Sequence, residues 1–174
     1  MEWFICELEM IKPSTKQQQV VGNPAPRWIK PPRRFAIVNV DAAISKNSSN
    51  ASAAAMAKDE VGNFLGASAL VLEGCVDPET AKVVACREGL ALASDLGLQT
   101  LRVASDCVNA VASIHGVGFG RYGPIILEIK PQTKSFTRVE FVHEGGRSNI
   151  DAHCLARSSI NFSVGRHVWF CCSS

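Results

Sequence analysis

The segment Phe35-Ala36-Ile37-Val38-Asn39-Val40-Asp41 constrains this chain more than any other stretch of it. It is rich in strand formers and apolar on both faces, as a central strand must be when helices cover its sheet on both sides. Asp41 sits at the end of that apolar run, where an isolated carboxylate would cost several kcal/mol unless it is paired or bound to a cation. With 174 residues, 47% of them apolar and 20% charged, the chain has room for one core of this kind and not for two full domains.

The rest of the chain supplies the partners of that strand. Asn50 to Lys58 is alanine-rich and suits strand or helix by composition. The turn signal from Lys58 to Asn63, followed by the apolar run Phe64 to Leu72, favours a hairpin of strands two and three. Asp77-Pro78-Glu79 then reads as an N-cap, a first-turn proline and a first-turn acid, and Val83, Cys86, Leu90 and Ala93 recur at helical spacing until Gly97. Thr100 to Ser105 is a short strand that stops at Asp106. Helices are predicted from Cys107 to His115 and from Tyr122 to Lys130, before Pro131, and a half-buried strand from Ser135 to His143. A last helix begins after Ser148 or Asn149 and carries Ala152, Leu155, Ala156 and Ile160. This order predicts an α/β domain, a mixed five-stranded sheet flanked by helices, over residues 34–170, with an N-terminal extension or linker over 1–33 and a tail over 171–174.

Charge is unevenly spread within the net +2. Residues 1–34 hold six Lys/Arg, among them Arg33 and Arg34, against three Glu, whereas the remaining 140 residues hold 12 Lys/Arg against 13 Asp/Glu. A basic arm can seek phosphates, or it can be a solvated linker. The apolar run from Phe64 to Leu72 is far short of the roughly 20 residues needed to span a bilayer, and the acids at Glu2, Glu7 and Glu9 argue against a secretory signal. An intracellular protein with no membrane association is expected. The seven cysteines form no Cys-x-x-Cys pair and read as reduced thiols. The segment Gly118-Phe119-Gly120-Arg121-Tyr122-Gly123 matches a dinucleotide-binding pattern, but it follows a helical segment where such a loop must follow a strand, so no nucleotide cofactor is expected.

The acids at element ends carry the chemistry. Asp106 lies at the carboxyl end of a strand, where open α/β sheets place their ligands; its competing role is as the N-cap of the helix from Cys107. If its strand neighbours that of Asp41, the two carboxylates converge.

Five ordered blocks then carry a resemblance. They are Trp28 with Pro31-Pro32 leading to Val38-Asn39-Val40-Asp41-Ala42-Ala43; Pro78-Glu79-Thr80-Ala81 leading to Arg87-Glu88-Gly89-Leu90-Ala91-Leu92-Ala93; Ser105-Asp106-Cys107; Tyr122-Gly123-Pro124-Ile125; and His143-Glu144 with Asn149-Ile150-Asp151-Ala152-His153-Cys154-Leu155-Ala156. Over about residues 28–169 the chain resembles the ribonuclease H-like domains of plant non-LTR retroelement reverse transcriptases and the host proteins derived from them. The resemblance implies hydrolysis of the RNA strand of an RNA/DNA hybrid by two Mg²⁺ ions roughly 4 Å apart, held by carboxylates. It maps the bridging aspartate onto Asp41 and a second metal ligand onto Asp106, and it puts His153 where the broader superfamily has a fourth carboxylate.

One position departs from the pattern. Where the family writes Ala-Glu, this chain has Ala81-Lys82, so a metal-binding carboxylate is replaced by an ammonium. Lys82 can pair with Asp41 and Asp106 or reach to solvent; in either case metal binding suffers. Glu79, one turn earlier on nearly the same helix face, is the nearest substitute and Glu88 points elsewhere, but neither recovers the metal geometry without a movement that two-metal catalysis tolerates badly. His143 and Arg147 flank a short glycine loop from which both could touch a nucleic-acid backbone, and Arg147 paired with Glu144 or Asp151 is the competing account. The expectation is a monomeric, retroelement-derived binder of RNA/DNA hybrid or RNA with impaired cleavage. Its alternative is a non-catalytic nucleic-acid-binding or interaction module that keeps the fold.

Overall fold

The computed structural model describes residues 35–75, 77–117 and 120–171. Three antiparallel strands come first: β1 (Ala36–Ile44), β2 (Asn50–Lys58) and β3 (Phe64–Glu73). They are followed by α1 (Pro78–Asp95), β4 (Thr100–Ser105), α2 (Val108–His115), α3 (Gly123–Thr133), β5 (Arg138–His143), α4 (Ile150–Ser159) and β6 (Gly165–Phe170). The sheet order is β5-β4-β1-β2-β3-β6, with β1–β4 and β4–β5 parallel and β3–β6 antiparallel.

Burial on both faces of the sheet explains the apolar reading of β1. Along β2, Ala53, Ala55 and Ala57 join a core with Val38, Val40, Val83, Leu90 and Ile126, while Ala54 and Met56 join a second core with Leu155, Ala156 and Trp169. Helices α1 and α3 thus cover one face and α4 the other. Small side chains let α1 lie close: a Cβ on Gly89 would stand 2.8 Å from Val40 Cγ1 and 3.3 Å from Val38 Cγ1. The composition of Asn50–Lys58 left helix and strand open; pairing with β1 and β3 makes it a strand.

Helix α1 starts as its sequence requires. The backbone N–H of Thr80 donates to Asp77 Oδ2 at 2.9 Å, Pro78 occupies the first turn, and Gly97 beyond the C-cap takes φ +66°.

Three expectations need correction. The sheet has six strands, not five: β6 was not anticipated because Gly165–Phe170 is a short edge segment, with Arg166 and His167 in its middle. Its docking on β3 and the ion pairs from Arg166 to Glu88 (2.7 Å) and Asp95 (2.6 Å) are long-range. Helix α3 runs through Pro131 to Thr133, because a proline in the last turn forfeits a single backbone bond there and Lys134 N–H closes onto Pro131 O at 3.1 Å. Strand β5 begins at Arg138 rather than Ser135, since the backbone before it is spent on turns, with Ser135 N–H donating to Gln132 O and Phe136 N–H to Thr133 O.

Candidate active site

Parallel pairing of β1 with β4 matches Val40 to Ser105, so the next residue on each strand, Asp41 and Asp106, emerges at the same end of the sheet. The two aspartates converge as expected. The Asp41 side chain is only 2% exposed, and that of Asp106 is 25% exposed. Asp106 does not cap α2; that position belongs to Cys107, which leaves the aspartate facing the site.

Lys82, in the second turn of α1, points into this pair. Its Nζ donates to Asp106 Oδ1 at 2.6 Å and lies 3.3 Å from Asp41 Oδ1. Burial by itself would lower the lysine pKa, but the hydrogen bond to Asp106 and the charges of both aspartates outweigh it and raise it, so the side chain stays charged at neutral pH. Of the two readings of Lys82, the ion pair is the one present.

The remaining oxygen positions on Asp41 are also engaged. The Ala42 backbone N–H donates to Oδ1 at 2.8 Å, and His153 Nδ1, from the first turns of α4, stands 2.7 Å from Oδ2. His153 is half-exposed at the mouth of the site while holding the buried carboxylate. Asn149 was not singled out for a role, yet it is buried just before α4, and its Nδ2 donates to Val40 O at 2.7 Å, fixing that helix beside Asp41. Its sequence signals were a helix start with an amide side chain and its place at the head of a block that carries the resemblance.

Glu79 does not substitute for the missing carboxylate. It is held by the hydroxyl of Tyr122, by Asn109 Nδ2 at 2.7 Å and by Arg121 Nη2 at 2.8 Å. Those bonds, led by that from Tyr122, lower its pKa to about 2. Glu88 is likewise engaged elsewhere, with Arg166.

His143 ends β5 and is exposed, and Arg147 is exposed in the loop after it. Asp151 pairs with Lys58, and Glu144 is buried with Oε2 unpartnered, so neither acid pairs with Arg147 among the described residues. The loop passes over the site: a Cβ on Gly146 would stand 4.0 Å from Asp106 Oδ2. Arg33 and Arg34 lie outside the described residues, as do Gly118 and Phe119 of the glycine motif. The described part of that motif follows α2 and precedes α3, with no strand leading into it.

A family model described as reverse transcriptase-like matches residues 39–159, from β1 to the last residue of α4. The chain belongs to the reverse transcriptase-like family. The match leaves β6 outside the family span. No curated protein matches the chain in sequence. Among solved structures, the RNase H1 of Halobacterium salinarum superposes with a TM-score of 0.65 at 15% identity, covering 74% of this chain and 99% of that one. The N-terminal RNase H domain of a Mycobacterium tuberculosis protein gives 0.65 at 17%, covering 73% and 99%. LC11-RNase H1, from compost metagenome and solved in complex with an RNA/DNA hybrid, gives 0.64 at 19%, covering 72% and 96%. These likenesses establish that this family member has the RNase H fold.

The donor set does not fit a pair of Mg²⁺ ions. Among the described residues no group of three or more His, Cys, Asp and Glu side chains is placed to hold a metal. The space between the two aspartates is taken by an ammonium within 3.3 Å of both. Mg²⁺ wants several hard oxygen ligands, and a neighbouring cation opposes it directly.

Proposed function

We propose that this chain is an RNase H-like nucleic-acid-binding domain that engages RNA/DNA hybrid or RNA without cleaving it. One observation carries the reading: Lys82 Nζ bridges Asp106 and Asp41 at 2.6 and 3.3 Å, where the family resemblance calls for a third carboxylate. Hydrolysis of a phosphodiester needs an activated water and stabilisation of the charge that develops on the phosphate. Asp41, with Oδ1 and Oδ2 committed to Ala42, Lys82 and His153, is poorly placed to accept a proton from water.

Binding needs less than cleavage. The exposed side chains of His143 and Arg147 stand on the segment that crosses the site and offer contacts to a sugar-phosphate backbone. Arg33 and Arg34 add positive charge from the N-terminal side. LC11-RNase H1 with its hybrid and a foamy viral protease-reverse transcriptase with double-stranded DNA support nucleic acid as the ligand class. An intracellular monomer fits this role, and no helix among the described residues is long and apolar enough to cross a membrane.

The deciding experiment incubates a labelled RNA/DNA hybrid with wild type, Lys82→Glu and Asp41→Asn in Mg²⁺ and in Mn²⁺, with binding measured in parallel. The expected result is binding without cleavage by wild type and metal-dependent cleavage by Lys82→Glu. Cleavage by wild type that disappears in Asp41→Asn would overturn the reading and make the chain an unorthodox nuclease.

A further inference from the structure

Two carboxylates at the ends of adjacent parallel strands repel each other, and the fold must neutralise them whatever the protein does with nucleic acid. The Oδ1 atoms of Asp41 and Asp106 both contact one ammonium, which puts them no more than about 6 Å apart. Asp41 is almost fully buried, so solvent screens it little. No other Lys or Arg forms an ion pair with either aspartate among the described residues.

We propose that the Lys82 ammonium is a tethered stand-in for a cation: it offsets one of the two charges of the Asp41–Asp106 pair, relieves their repulsion and frees the stability of the domain from any dependence on metal. The inference rests on the non-cleaving reading of the same site, but it concerns the unliganded protein.

The anchoring of α1 supports it. Asp77 caps the helix, Glu79 is clamped to Tyr122, Asn109 and Arg121, and Gly89 seats the helix against Val40 and Val38. The Lys82 backbone is therefore held on both sides, and its side chain is 23% exposed, bent into the acids rather than extended to solvent. A helix fixed in this way presents its ammonium to the pair at low entropic cost, and the charge cannot dissociate as a free ion can. The other side of Asp41 is closed by His153, and Asp106 Oδ2 faces the loop at Gly146.

The test is thermal unfolding of the full chain without nucleic acid, in chelator and in millimolar Mg²⁺ at matched ionic strength. Wild type should melt at the same temperature in both. Lys82→Met should melt roughly 5 °C lower in chelator and regain stability in Mg²⁺ but not in matched NaCl. Lys82→Met with Asp106→Asn, which removes the repulsion, should melt above Lys82→Met in chelator and lose the Mg²⁺ response. Should Lys82→Met fail to fold in chelator, folding of the double variant there supports the proposal, and failure of both variants overturns it. Stabilisation of wild type by Mg²⁺, or a Lys82→Met protein as stable as wild type in chelator, also overturns it. Because no hybrid is present, these outcomes are independent of whether wild type cleaves or binds nucleic acid.

Discussion

The amide of Asn149 donates to the main-chain carbonyl of Val40 across 2.7 Å, joining the start of α4 to the strand residue just before Asp41. The bond is buried and spans more than half the chain in sequence. It lets His153, one turn further along α4, meet Asp41 Oδ2. Asn149→Ala should lower stability by about 1–3 kcal/mol by leaving a buried carbonyl unsatisfied. Asn149→Asp should be worse, because it loses the same donor and also buries a carboxylate against that carbonyl oxygen. Denaturant unfolding of both variants checks the order; equal stability of wild type and Asn149→Ala would remove the bond from the account.

Gly89 is where α1 touches the sheet. Gly89→Ala gains helix propensity but drives a Cβ to 2.8 Å from Val40 Cγ1 in a fully buried layer. The expected net effect is a destabilisation of about 1–3 kcal/mol. A stabilised variant would show that α1 can lift away from β1 without penalty.

Arg166 links β6 to α1 through Glu88, whose side chain is 4% exposed. Arg166→Ala leaves that carboxylate buried and unpaired and should cost about 2–3 kcal/mol, below the range for wholly buried pairs because the arginine itself is one-third exposed. Adding Glu88→Gln should recover much of the loss. A double variant no more stable than the single one would assign the damage to the missing arginine packing instead.

Glu144 is buried with Oε2 unpartnered, and burial raises its pKa against a smaller opposing effect from Arg102. A carboxyl with a raised folded pKa holds its proton longer in the native state than in the unfolded one. Stability should therefore fall as pH rises from the ordinary glutamate value, 4.5, through the raised native value. Glu144→Gln should remove that part of the pH dependence and be more stable than wild type at neutral pH. Parallel unfolding curves for the two proteins across the acid to neutral range would refute the assignment.

Arg147 has no ion-pair partner among the described residues and stands exposed on the loop over the site. Arg147→Ala should weaken hybrid binding and make the slope of log K against log salt shallower by about 0.7–0.9, the share of a single phosphate neutralised by one cation. Arg33→Ala with Arg34→Ala should reduce it further if the N-terminal arm also reaches the backbone. An unchanged slope in the first variant would take Arg147 out of the interface, and in the second would leave the arm as a linker.

Local pattern carried far in this chain. The doubly apolar run before Asp41, the Asp77-Pro78 cap and the half-apolar alternation of β5 each followed from chain-local physics, namely strand burial, capping and side-chain period. They were enough to order the elements from β1 to α4. The replacement at Lys82 was legible too, because the residue blocks around it resemble a family that writes a glutamate there.

Contacts between distant residues were not legible in the same way. Whether Lys82 reached solvent or the aspartates depended on where α1 lies over β1 and β4, which Gly89, Val38 and Val40 decide by how closely their atoms can approach. Helix spacing already set Glu79 one turn away from the ligand position, but not that Asn109 of α2 and Arg121 and Tyr122, just before α3, hold its carboxylate. Strand β6 needed β3 for its hydrogen bonds and Glu88 and Asp95 for its arginine. The sequence by itself determined the elements from β1 to α4, the two candidate aspartates and the lysine that departs from the pattern between them. Only the tertiary structure decided that the lysine is the cation they hold, since an ion pair between residues 82, 41 and 106 exists only once packing has brought their three elements together.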